Sequence, residues 1–294
     1  MASRVLPPSS GRGINYVTPR ITPRCTHMPG TRQGLQGPHR RGMAMWLALA
    51  GTILHLTVAA PAHAQLDPNA IIDRVDRLLR GESSRGVATM EIVTEHWERQ
   101  MTMEIWSLGT DYSLVRLRAP RREAGTATLK AAEDIWNYLP RVDRTIKVPA
   151  SMMGGSWMGS HFTNDDLVKD SRLVEDYDIE LVFDGEDAAG VAVWDFRLTP
   201  RPEAPVVWGH IDYRIRQSDD MPIRAEFFDE DGELARTIEH GDYTEFSGRI
   251  VPGVMNMYPA DKPDERTTIR YEELEFDIDV EPSFFSLRTL QRGG

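Results

Sequence analysis

The sequence has a single cysteine, Cys25, so residues 26–294 contain none. No disulfide framework, thiol nucleophile or cysteine-bearing metal site can form in that stretch. A second absence lies at the start: residues 1–64 carry seven arginines and no acidic residue. They end in RRGMAMWLALAGTILHLTVAAPAHA, with a positive flank, an apolar run from Met43 to Ala60 and a small-x-small ending at Ala62-His63-Ala64. That is the pattern of a cleaved secretory signal, with the cut expected between Ala64 and Gln65. His55 interrupts the run, which lies near the lower limit for a membrane span, so a retained anchor is the weaker reading. Residues 1–42 read as coil rich in proline, glycine and arginine, with Met28 and Met43 as alternative starts. With no cysteine after the cut, acylation at that point is excluded.

Residues 65–294 then form one expected domain, large enough for one sizeable core. With the seven leader arginines set aside, 27 basic residues face 45 acidic ones, a net charge of −18. Such a surface repels nucleic acid and anionic membrane and favours a soluble monomer. Catalytic patterns are scarce as well. Around Ser156 the string GGSWM fails the G-x-S-x-G elbow, because Met158 stands at the second glycine. His161 with Asp165 and Asp166 has no second histidine nearby, and helix capping accounts for the aspartates, so no metal is expected. The DEDG at 229–232 reads as a hairpin turn, and His96, His210 and His240 are scattered. The expectation is a protein with no cofactor and no enzymatic activity.

What is present is mostly strand. LDPNAIIDRVDRLLRGE is a clear helix: Asp67 caps it, Pro68 fits its first turn, Gly81 stops it, and Ile71, Ile72, Val75, Leu78 and Leu79 share a face. Beyond it, alternation marks strand after strand. Ala192, Trp194, Phe196 and Leu198 share one face, as do Met101, Met103 and Ile105, and Met221, Ile223, Ala225 and Phe227. In VWGHIDYRIR, Val207, Ile211, Tyr213 and Ile215 lie opposite Trp208 and His210. Trp136 and Tyr138 alternate with Ile135, Asn137 and Leu139, as expected of a strand covered on both faces. Turn signals recur at Leu108-Gly109-Thr110-Asp111, Asp184-Gly185, Ser218-Asp219-Asp220, Asp231-Gly232 and Val251-Pro252-Gly253.

About ten or eleven strands joined by tight turns predict a mainly β (α+β) fold. The economical form is a strongly curved antiparallel sheet wrapped around its own apolar face and plugged by the N-terminal helix and the Gly/Met loop. The segment SMMGGSWMGSHFTNDDL, Ser151 to Leu167, reads either as a hinged apolar flap over a cavity or as an ordinary loop whose methionine and tryptophan side chains complete the core. Its methionines are adaptable and its glycines permit motion. Thr163 or Asn164 caps the short helix that follows, with Asp166 three residues after Thr163.

The run DIWNYLPRVDRTIKVPASMMGGSWMGSHFTNDDL resembles the signature of the outer-membrane lipoprotein-sorting protein family, the LolA-like periplasmic carriers. MPIRAEFFDEDGELARTIEHGDYTEFSGRIVPGVMNM is similar to the C-terminal half of that family, and EPSFFSLRTLQ to its tail. The resemblance implies a half-open barrel, a hydrophobic cavity for acyl chains and no catalysis. It also implies an arginine whose hydrogen bonds latch the lid, for which the sequence singles out no position. The expected cargo is the acyl chains of a lipoprotein or another lipid, and the expected partners are an inner-membrane exporter or an outer-membrane acceptor. The expected lining consists of Met152, Met153, Trp157, Met158 and Phe162 on the flap, with Met101, Met103, Met255 and Met257 on strands. Trp136, Tyr138, Trp194 and Phe196 complete it. The alternative is a periplasmic sensor or scaffold that binds a protein partner through the flap.

Overall fold

The computed structural model describes residues 66–164, 166, 173–204 and 206–292. The signal segment with its cut, and most of the short helix expected after Thr163, lie outside these residues. Helix α1 (Pro68–Arg80) forms where its caps predict. Asp67 Oδ1 accepts the Asn69 N–H at 3.0 Å, and the Gly81 N–H donates to the Arg77 carbonyl oxygen at 2.8 Å. Ile71, Ile72 and Val75 are buried beneath it.

Thirteen strands follow, rather than the expected ten or eleven. They are β1 (Ser83–Val93), β2 (Glu98–Leu108), β3 (Tyr112–Ala119), β4 (Ala127–Ala131), β5 (Asp134–Leu139), β6 (Arg144–Lys147) and β7 (Tyr177–Glu186). Then come β8 (Ala192–Pro200), β9 (His210–Arg216), β10 (Met221–Phe228), β11 (Leu234–Phe246), β12 (Arg249–Pro259) and β13 (Arg266–Phe276). Strands β4 and β6 are only five and four residues long, too short to carry a strong alternation. All thirteen make one antiparallel sheet in the order β6-β5-β4-β3-β2-β1-β13-β12-β11-β10-β9-β8-β7. The sheet is two meanders joined where β1 pairs with β13, and β6 and β7 remain as free edges. Bulges at Val87/Ala88, Thr102/Met103, Leu181/Phe183, Pro222/Arg224 and Phe227/Phe228 add twist along its width.

Two of the expected turns are strand instead. Asp184-Gly185 pairs with Trp194 and Val193 inside β7, and Pro252 of Val251-Pro252-Gly253 pairs with Tyr243 inside β12. Gly253 is there for close approach: a Cβ on it would sit 2.7 Å from the Asp242 carbonyl oxygen of the neighbouring strand. The actual reversals fall at Gly190 (φ +77°) and Gly248 (φ +82°), which supply the left-handed backbone.

Buried residues of β1, β2, β3, β8, β9, β10, β11 and β12 belong to one apolar cluster with α1. Strands as distant in the sheet order as β3 and β8 can share a core only if the sheet bends around it. A second cluster lies on the opposite face of β3–β5. There Leu114, Leu129 and Tyr138 pack against Phe285 and Leu290 of the C-terminal tail. Alternation divides the two: Leu114 points to the tail, and Val115 and Leu117 point to the inner core. The tail is pinned by Arg116, whose Nη2 donates to the Thr289 carbonyl oxygen at 2.5 Å. Burial pushes the Arg116 guanidinium below its ordinary pKa.

Phe196 is fully buried at the centre of the inner core. Phe196→Ala is expected to lower stability by about 3–5 kcal/mol, read as a shift in the urea midpoint with little change in slope.

Candidate functional site

The inner core does not fill the bend. A cavity of about 330 Å³ lies between α1 and the concave face. Helix α1 roofs it with Ile72, Val75 and Leu79, and β9–β11 supply Ile211, Tyr213, Phe227 and Ile238. From β12 come Val251 and Met255, and from β2 Ile105 and Ser107.

The cavity also holds charge. Arg236 is 7% exposed, with its guanidinium carbon 4.5 Å from the Trp208 ring centre and 4.3 Å from that of Phe227. Its Nη1 and Nη2 donate to Asp166 Oδ2 and Oδ1 at 2.7 and 2.6 Å, a bidentate pair. Asp166 Oδ2 also accepts from the Thr163 N–H at 2.7 Å and hydroxyl at 2.9 Å. The Asp166 N–H donates back to Thr163 Oγ1 at 3.2 Å, which closes the capping arrangement read from the sequence. A buried arginine on β11 thus holds the segment that leaves the flap. Asp76 and Arg80 form a second ion pair on the cavity side of α1.

His240, two residues beyond Ile238 on β11, lines the same space. Its ring makes no hydrogen bond to any described residue, and Nδ1 is buried without a partner. Part of the ring surface faces the open cavity, but protein surrounds that space, and the burial pushes the His240 pKa down from 6.5 to about 4. The imidazole is neutral at pH 7.

A family model described as "-like: Uncharacterized protein" matches residues 109–292, more than half of the chain. The chain belongs to this family, and its fold is LolA-like. No curated protein matches it. Among solved structures it is similar to a domain from Vibrio parahaemolyticus assigned to outer membrane lipoprotein sorting. That match has 22% identity, covers 76% of this chain and 98% of that one, and has a TM-score of 0.67. A DUF1329 family protein from Desulfovibrio piger matches with 20% identity, 77% and 100% coverage and a TM-score of 0.69. A LolA superfamily protein from Nitrosomonas europaea matches with 20% identity, 76% and 99% coverage and a TM-score of 0.65.

Within this LolA-like fold the expected lining residues separate. Met255 is on the cavity wall. Met101, Met103, Met257, Phe196, Trp157 and Phe162 are buried in the inner core, with Met158 and Trp194 packed against it. Met101 and Met103 share a strand face with Ile105 and Ser107, so their side is the concave one, but they lie further along β2, where the interior is filled. Trp136 and Tyr138 belong to the outer cluster, because alternation on β5 turns them toward the tail. Met152 is 58% exposed and Met153 half-buried.

The flap is fastened rather than splayed. Trp157 Nε1 donates to Thr128 Oγ1 at 3.1 Å, and Arg99 Nη1 to the Met158 carbonyl oxygen at 2.9 Å. His161 Nδ1 meets Thr267 Oγ1 at 2.8 Å, and its Nε2 lies 2.9 Å from Glu265 Oε2. The His161 hydrogen bond holds the Glu265 carboxyl below its ordinary pKa. The Ser156 hydroxyl donates to the Ser160 carbonyl oxygen at 2.5 Å, within the flap itself. With Trp157 and Phe162 buried, little of the flap's apolar surface faces outward, so the protein-docking alternative gains no support. Of the expected lining only Met255 is on the cavity wall, and the residues missed by sequence reasoning include Trp208, Arg236, Ile238 and His240. Strand β9 begins at His210, so the alternation read through Gly209 to Trp208 does not extend that far.

Two outcomes follow from the buried polar groups. Asp166→Ala leaves Arg236 uncompensated in an apolar setting and is expected to cost about 3 kcal/mol in denaturant unfolding, more than an exposed pair would. For His240 the unfolded chain takes up a proton near pH 6.5 that the folded chain refuses until about pH 4. Stability therefore falls as pH drops through that window, by about 3 kcal/mol at its limit. The charged groups sharing the cavity, Asp76, Arg80, Asp166 and Arg236, remain in a His240→Phe variant. Its unfolding free energy should decline less between about pH 7 and pH 4.5 than that of the parent protein.

Proposed function

We propose that this protein is a non-enzymatic periplasmic carrier that shelters an acyl chain and moves it toward the outer membrane. The observation that carries the reading is the cavity between α1 and the concave sheet face, whose walls and roof are mostly apolar and whose described charges are paired. An acyl chain gains ~0.8 kcal/mol for each methylene removed from water, so ten methylenes are worth about 8 kcal/mol. Crossing an aqueous space between two membranes requires a container that supplies that burial. A volume of about 330 Å³ is near the small end of ligand pockets and suits one chain better than several. The sorting role named for the Vibrio parahaemolyticus domain, whose fold this chain shares, supports the same reading.

Loading and release require the cover to move. The Arg236–Asp166 pair is the latch in this proposal, because among the described residues it ties the barrel wall to the segment leaving the flap. The methionines at the filled end of the interior, Met90, Met101, Met103 and Met257, are pliable enough to repack when a longer chain enters. The protein acts as a monomer, receives its cargo from an inner-membrane exporter and delivers it to an outer-membrane acceptor.

The neutral apolar dye N-phenyl-1-naphthylamine tests the container. The purified protein should take it up with enhanced fluorescence, and Ala225→Phe, which puts a ring into the cavity from β10, should abolish uptake while circular dichroism stays unchanged. Equal uptake by the two proteins would place dye binding elsewhere and defeat the reading.

A further inference from the structure

We propose that His240 is the specificity-determining residue of the cavity, and that it selects a neutral acyl compound (an ester, amide or alcohol) over a fatty-acid anion. This inference rests on the container reading and deepens it. Among the described residues, the charged groups facing the cavity are closed into two pairs: Asp166 with Arg236, and Asp76 with Arg80. Each pair sums to zero. A guest carboxylate would have to enter without its own counter-ion or take a guanidinium from an aspartate, which would leave that aspartate unpaired in a low-dielectric space. Arg236 Nε is also buried without a hydrogen-bond partner, but its guanidinium is already paired with Asp166; His240 is of another kind. On the inward row Arg236, Ile238, His240 of β11, the imidazole has no hydrogen bond to any described residue.

A neutral imidazole offers one N–H donor and one acceptor nitrogen. A carbonyl oxygen can accept the donor, and a hydroxyl can meet either nitrogen. A guest that does so replaces an unsatisfied buried group with a satisfied one, whereas a plain hydrocarbon leaves it unsatisfied. His240 pairs across the sheet with Met255, and both line the cavity, so the polar contact sits beside an adaptable apolar wall. That juxtaposition suits a chain whose polar group is drawn inside with it. Burial keeps the imidazole uncharged, which removes the one change that would invite an anion.

The test is displacement of N-phenyl-1-naphthylamine from the purified protein near pH 7.5 by methyl dodecanoate, 1-dodecanol and sodium dodecanoate. The ester and the alcohol are expected to bind at least tenfold more tightly than the carboxylate. His240→Phe should shrink the ratio of ester to carboxylate affinity by about fivefold to tenfold, and His240→Gln, which keeps a donor and an acceptor, should restore most of it. A carboxylate that binds as well as the ester overturns the inference, as does a ratio unchanged in His240→Phe. A parent protein that takes up no dye removes the container reading itself, a result distinct from uptake with the wrong preference.

Discussion

The constraint on which the molecule depends is that a single bent sheet with free edges encloses more space than its own side chains fill. Thirteen antiparallel strands curve until strands far apart in the sheet share one core, yet β6 and β7 never pair. Something other than a strand must therefore cover the concave side. Two segments do so from different places. The flap drives Trp157 and Phe162 into the region of Met101 and Met257, and α1 lays Ile72 and Val75 over the rest. Packing is complete in the first region and incomplete in the second, and the gap between them is the cavity.

Charge inside that gap is arranged to cost as little as burial allows. Arg236 lies against two aromatic rings that meet edge to face, where its planar, weakly hydrated cation is well tolerated, and it meets both oxygens of one carboxylate. An ion pair of this kind is weak evidence for stability, since apolar residues of the same volume often do as well. Its value is geometric. It gives the segment after the flap a defined seat on β11, held among the described residues by Nη1 and Nη2 of Arg236.

Much of this was legible in the residues. The caps of α1, the period-two strands and the ordered string from Asp134 to Leu167 pointed to a curved antiparallel fold of the kind observed. The place of the cavity was not legible, for identifiable reasons. Bulky apolar side chains mark buried positions without telling a filled region from an empty one, so Met101 and Met103 read like Met255. Alternation separates the two faces of β5 but does not say that a C-terminal tail covers one of them, which is why Trp136 and Tyr138 were expected inside. On β11 two polar residues flank Ile238, and the pattern Arg236-x-Ile238-x-His240 looks like a solvated face. It is an inward face because ion pairing and a neutral imidazole make polar groups tolerable there.

The most direct measurement is native mass spectrometry of the protein purified from the cell envelope without detergent. One acyl compound bound per chain, lost when Ala225→Phe occupies the cavity, is the predicted result. A protein that always emerges empty, or whose bound lipid persists unchanged in that variant, would contradict the account.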